Sequence, residues 1–251
     1  MTPPSPPAPA RLITALLDLI YPRQCGGCGG LGTWLCPRCL DQMAPPARPG
    51  WVCARCARPL LPAPTGLYCP DLCDTGGLTA VLCSGLFAGP LREAIHHLKY
   101  SRWRVLAAPL AALLAATCRA TPLPWAESVV PWLLPVPLHP RRQRARGFNQ
   151  AALLAASLAA RLGWPLLPGL TRVRFTDSQV GLSAAERAVN LEDAFAWRGA
   201  PLPRAPLVLV DDVYTTGVTM SLCAEVLRAR GAGPVYGLAL ARTEHSDQHE
   251  F

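Results

Sequence analysis

The chain has 251 residues, of which 51% are hydrophobic and 16% charged, and a formal net charge of +8. That length suits one large domain, or a medium domain with a small one attached, and so apolar a composition excludes wholesale disorder. The basic excess implies attraction to something anionic, such as phosphate, nucleic acid or a membrane surface, although a basic protein without a polyanionic partner has the same composition.

Residues 1–11 form a Pro-rich tail, and the apolar run at 12–20 predicts a short amphipathic helix. That run is too short to span a bilayer and lacks a small-residue cleavage site, so the expected location is cytoplasmic, with no membrane span. Thiols stay reduced there.

Eight of the eleven cysteines then come in pairs: Cys25 and Cys28, Cys36 and Cys39, Cys53 and Cys56, Cys69 and Cys73. Two residues between cysteines on a tight turn aim both thiolates at one point, and two such knuckles complete a four-thiolate shell for zinc. The simplest, sequential pairing assigns Cys25, Cys28, Cys36 and Cys39 to one ion and Cys53, Cys56, Cys69 and Cys73 to a second; an interleaved pairing is the alternative. The wider Cys69–Cys73 spacing departs from the usual knuckle, so one or two structural zincs are expected. A disulfide framework or a redox pair has the same residue count. A Pro/Gly-rich segment of this size has too little core to fold alone; a bound zinc supplies on the order of 10 kcal/mol. Cys83, Cys118 and Cys223 lie in apolar contexts and read as buried thiols.

Near residue 78 the composition changes. Residues 12–77 read as the cysteine module, 78–242 as a second domain and 243–251 as a polar tail. In the second domain, 78–89 reads as one strand or two meeting at Gly85. A helix follows over 90–100, and another over 104–118, kinked or begun near Pro109. Residues 132–138 form an apolar strand ending in a basic, irregular loop at 139–147, with Arg141, Arg142, Arg144 and Arg146. A helix over 148–163 closes at Gly163. Residues 166–174 read as a strand, 175–195 as a polar mobile loop with a helical turn at 183–189. A strand at 207–211, a helix near 218–230 and a strand at 234–242 complete the chain. This alternation predicts an α/β fold, a parallel sheet with helices on both faces.

Ligands of such sheets sit at the carboxyl ends of strands. There "LVLVDDVYTTGVTM" places Asp211 and Asp212 at the end of a buried strand, then Thr215, Thr216, Gly217, Val218 and Thr219 before a helix. Free N–H groups and a positive dipole end at the helix start take a phosphate, while the carboxylates accept from sugar hydroxyls or help hold a metal. Alternatively, Asp212 or a threonine merely caps the helix. Lys99 is the lone lysine among 24 basic residues, which singles it out as a phosphate contact, a surface lysine being the plain alternative.

The run "VLVDDVYTTGVT" resembles the phosphoribosyl-pyrophosphate motif of type I phosphoribosyltransferases. More narrowly, "IHHLKYS", "VPLHPRRQRARGFNQ" and "TDSQVGLSAAERAVNLEDAF", following a Cys-pair module, resemble the ComF family of competence-associated proteins over about residues 12–242. The resemblance implies a small zinc-ribbon module before a type I phosphoribosyltransferase-like domain. It implies phosphoribosyl pyrophosphate bound with magnesium: Asp211 and Asp212 on the ribose, Thr215–Thr219 on the 5-phosphate, and Val136, Pro137, Arg141 and Arg146 on the pyrophosphate. Lys99 and Tyr100 are further ligand contacts, and Arg187 closes over the site from the mobile loop at 173–192. Hypoxanthine-type enzymes carry an aspartate where Thr215 stands, and threonine is no base at neutral pH, so the resemblance does not extend to 6-oxopurine salvage. The alternative reading is a non-catalytic adapter for single-stranded DNA or DNA-uptake proteins. There Arg38, Arg48, Arg55 and Arg58, with Trp34 and Trp51, contact the strand by charge and stacking, unless both tryptophans pack against the metal sites.

Overall fold

Strand β6 (Val235–Arg242) is buried at all eight positions, and β5 (Leu207–Tyr214) at its first four. These continuous apolar runs suit the middle of a parallel sheet covered on both faces. The sheet has the order β1-β6-β5-β2, every neighbour pair parallel, with β1 at Ala80–Leu86 and β2 at Trp132–Pro135. The computed structural model describes residues 22–43, 53, 55–57, 75–121, 129–174 and 194–243.

Alternation along the strands divides the core. On one face Val208, Val210, Leu238 and Leu240 pack with helices α2 (Gly89–Tyr100), α3 (Ala107–Ala120) and α5 (Gln150–Leu162). On the other, Leu207, Leu209, Val235 and Ala239 meet α6 (Val218–Arg228) through Met220, Cys223, Ala224 and Leu227. Helices cover both faces, as the alternating pattern predicts.

The first cysteine pairs join this core. Helix α1 (Pro37–Met43) buries Cys39 and Met43, which share the first cluster with Cys25, Leu35, Leu91 and Leu106. A Cβ on Gly27 would lie 2.9 Å from both Cys39 Sγ and Pro90 Cβ, so glycine lets the knuckle sit directly on α2.

Several elements differ from the sequence expectations. The basic segment is not irregular: Pro140–Arg146 is a helix, α4. His139 caps it through Nδ1, which accepts from Arg141 N–H at 3.1 Å; Pro140 opens it, and Gly147 closes it at φ +85. Residues 80–86 form a single strand through Gly85, and a 3-10 turn at Arg104–Leu106 precedes α3, leaving Pro109 in the first helical turn. A two-stranded antiparallel ribbon joins β3 (Leu170–Arg172) to β4 (Phe195–Trp197), a strand the sequence reading left out. The helix at 12–20, the turn at 183–189, and Arg48, Trp51, Arg58, Cys69, Cys73 and Arg187 lie outside the described residues. Among the described residues, no helix is long and apolar enough to cross a membrane.

Candidate functional site

Strand β5 runs four residues past its last pairing with β2. Pro135 pairs with Val210, Val136 N–H donates to Val210 O at 2.9 Å, and then Pro137, which has no N–H, turns the chain away toward α4. β5 continues beside β6, with Asp211 opposite Ala239 and Tyr214 opposite Arg242. The aspartates therefore stand inside the strand rather than beyond it, at the point where its β2 side opens. This corrects the expectation that the strand stops at residue 211.

Successive residues of a strand face opposite ways. Asp212 falls on the α2 face, where Lys99 Nζ lies 2.7 Å from its Oδ2; the side chains are 18% and 4% exposed. Oδ2 has no aligned hydrogen bond, so the contact is an ion pair. Burial pulls the Lys99 pKa down, but the Asp212 and Asp211 charges outweigh it and the net direction is up. Asp211 falls on the α6 face, and its Oδ1 accepts from Asp212 N–H at 2.8 Å. Burial and the Asp212 charge push its carboxyl well above the usual carboxylate range, with Lys99 pulling back.

The loop after β5 carries Thr215, exposed, and Thr216, partly buried. Gly217 caps α6 at φ +83, and a Cβ there would lie 2.2 Å from Tyr214 Oη. Only glycine allows that turn. Val218 and Thr219 open the helix, whose first N–H groups face the loop. Val136 is held by Asn149 Nδ2, which donates to its carbonyl at 2.9 Å.

On α4, Arg141 is exposed, while Arg146 donates to Gln150 Oε1 and lies 5.4 Å over the ring of Tyr100, itself 65% exposed. The structure thus brings Lys99, Tyr100, Val136, Arg146 and the β5 loop to one end of the sheet. It adds residues that the sequence reading did not assign to the site. Arg172, at the end of β3, lies 5.4 Å over the Phe195 ring. Burial and the nearby Arg142 lower its pKa, and Asp211 opposes them. His139, between the strand end and α4, is held low by burial and by Arg172 and the α4 arginines. In the sequence, Arg172 carries no signal beyond lying inside the strand expected at 166–174.

The other centre is the cysteine knuckle. The Sγ atoms of Cys25, Cys28, Cys36 and Cys39 all lie within 4.8 Å of one another, and Cys28 and Cys36 are 3.8 Å apart. A tetrahedral ion with sulfurs at about 2.3 Å spaces them by about 3.8 Å, so the four thiols fit zinc. Burial works against ionising Cys25, but the N–H groups of Cys36, Cys28 and Gly27 outweigh it and bring its pKa to about 6. Burial and the neighbouring thiols push Cys39 the other way. Cys53 and Cys56 are buried beside β1 and β6: Val81 N–H donates to Arg55 O at 2.8 Å, and buried Arg242 donates to Cys56 O. Trp34 is partly buried and meets Trp103 edge-on at 6.4 Å. Arg38 and Arg55 are exposed.

Residues 16–73 match the family model described as a double zinc ribbon domain. The chain is 36% identical over 215 residues to the DNA utilization protein YhgH of Salmonella typhi, covering 83% of this chain and 84% of that one. It is 35% identical to competence protein F of Haemophilus influenzae (63% and 70% covered) and 31% identical to competence protein ComFC of Bacillus subtilis (44% of each). Among solved structures, an asparagine mutant from a study of an invariant aspartic acid in HPRTs aligns at 13% identity and a TM-score of 0.33, over 59% of this chain and 69% of that one.

Proposed function

Since the chain belongs to the ComF family, a competence-associated group, we propose that its sheet domain binds phosphoribosyl pyrophosphate with magnesium and transfers the ribosyl group to a nitrogen nucleophile. One observation carries the reading. The Lys99–Asp212 ion pair and the raised Asp211 carboxyl sit where β2 leaves β5, directly before a glycine-capped helix. Two carboxylates on a strand are costly without a ligand that uses them, and a hydroxyl-rich, metal-bound sugar phosphate does so. Helix capping alone is a weaker account, since neither aspartate caps α6 and Gly217 holds that position.

Asp211 and Asp212 would accept from the ribose hydroxyls, and magnesium would neutralise charge on the diphosphate. Thr215, Thr216, Gly217, Val218 and Thr219 would take the 5-phosphate with the α6 N–H groups. Val136, Pro137, Arg141 and Arg146, with Lys99 and Tyr100, would meet the pyrophosphate, and Arg187 would close over it. In the reaction the sugar C1–oxygen bond breaks, pyrophosphate leaves with the electron pair, and a nitrogen of the acceptor bonds C1 and loses its proton. The protein's part is positioning and charge stabilisation. Structural zinc stays outside this chemistry.

Thermal unfolding tests the reading. Ligand at a hundredfold over Kd stabilises by about 2.7 kcal/mol. Phosphoribosyl pyrophosphate with magnesium should raise the melting temperature, and Asp211→Asn with Asp212→Asn should abolish the rise. An unmodified protein unmoved by millimolar ligand would refute it.

A second reading, a non-catalytic adapter binding single-stranded DNA, draws on a cleft of about 540 Å³ whose lining, among the described residues, includes Trp34, Trp103, Arg102 and Arg104 and no acidic side chain. It expects DNA affinity to fall steeply with salt and to vanish when the cysteine module is removed.

A further inference from the structure

Helix α4 carries arginines that the phosphoribosyl reading assigns to pyrophosphate, yet it has seven residues, four of them arginines. A helix so short does not hold by itself, and like charges at neighbouring helical positions oppose it. Its carbonyl end is gripped from outside. Arg102 Nη2 donates to Ala145 O at 3.0 Å, and Arg104 Nη2 donates to Gly147 O at 2.8 Å. The Arg104 guanidinium also lies 4.8 Å over the Phe148 ring, and in the reverse direction Arg146 covers Tyr100. Cations at the carbonyl end of a helix complement its dipole. Arg102 does this from φ +59, a conformation that non-glycine residues keep only where the surroundings impose it.

The same short segment reaches two other places. Lys99, just before it, holds Asp212. Trp103, between the two arginines, stacks on His97 at 4.5 Å and meets Trp34 of the knuckle. We propose that Arg102 and Arg104 are positioning residues for the pyrophosphate arm of the site. They fix α4 so that its His139–Arg142 end stays near Arg172, and through Trp103 they tie that arm to the cysteine knuckle. The inference rests on the phosphoribosyl reading and deepens it.

The test compares two probes on the full-length, zinc-loaded chain: phosphoribosyl pyrophosphate with magnesium, and ribose 5-phosphate, which lacks the pyrophosphate. Affinities are measured by calorimetry for the unmodified protein, Arg102→Gln, Arg104→Gln, and Arg104→Lys, which keeps a donor for Gly147 O. Displacing a positioning group by an ångström costs up to about a hundredfold. Both glutamine variants should lose about tenfold or more in affinity for phosphoribosyl pyrophosphate and keep their affinity for ribose 5-phosphate, and Arg104→Lys should recover most of the loss. Equal losses for both probes would mean a general structural role and overturn the proposal, as would no loss for either. An unmodified protein that binds neither probe would fail the phosphoribosyl reading itself. One that binds ribose 5-phosphate alone would fail only the pyrophosphate arm.

Discussion

Replacing Lys99 by methionine removes the cation from a pair that is nearly closed to water. At the observed 2.7 Å, the gross attraction is about 6 kcal/mol for an effective dielectric constant of 20. Most of that is offset by the cost of desolvating both ions, so the intact pair adds little net stability. The single substitution is another matter. It leaves Asp212, with a side chain 4% exposed, charged and uncompensated beside Asp211. Breaking a buried pair in this way costs about 3–5 kcal/mol, which in a chain of this size lowers the melting temperature by roughly 10 °C. Adding Asp212→Asn removes the orphaned charge, so Lys99→Met/Asp212→Asn should be clearly more stable than Lys99→Met alone. Urea unfolding of the four members of the cycle, ligand-free at neutral pH, reads both numbers. A Lys99→Met loss under about 1 kcal/mol, or one that persists undiminished in the double variant, would refute the buried-pair argument.

Asp211 gives a pH signature. Its folded pKa lies above the unfolded one, so between the two the folded state binds more protons and stability falls as pH rises from about 4. Asp211→Asn should flatten that slope and stabilise the ligand-free protein at neutral pH while losing the response to phosphoribosyl pyrophosphate; an unchanged slope would place the strain elsewhere. At the knuckle, Cys39→Ser should lower bound zinc by one ion per chain in elemental analysis, since Cys39 is a buried member of the quartet. Cys83→Ser, on β1, should leave the zinc content unchanged.

The parallel sheet was legible because its strands are continuous apolar runs, and the zinc knuckle because two Cys-x2-Cys pairs have no commoner use at that spacing. Helix α4 was misread for a physical reason. Four arginines in seven residues look unable to form a helix, and what holds them is supplied by Arg102 and Arg104, 43 residues earlier in the chain. Local signals were nonetheless present: Pro140 at the first helical position and Gly147 just past the last. The sequence reads Asp211 and Asp212 as emerging together at the strand end. Strand alternation separates them, one toward Lys99 and one toward α6, and that depends on β6 carrying β5 onward after β2 has left. The length of that overhang is a property of the sheet, which no local window contains.

The chain's preference for arginine makes Lys99 a sharper test than its conservative replacement suggests. Had coding bias alone shaped the position, arginine would serve there too. The site argues otherwise. Lys99 approaches Asp212 from the last turn of α2, whose neighbouring Ile95 and Leu98 are fully buried. A compact ammonium fits this slot and can leave one carboxylate oxygen to a ligand hydroxyl. A planar guanidinium is longer and binds both oxygens at once. Lys99→Arg should therefore cost about 1–3 kcal/mol of ligand-free stability through overpacking. It should also weaken phosphoribosyl pyrophosphate binding, because the fork competes with the ribose for Asp212. Thermal unfolding and calorimetry measure the two effects separately. Undiminished ligand affinity in Lys99→Arg would mean that position 99 requires only a positive charge, and the case for a lysine held in readiness beside the acidic strand would fall.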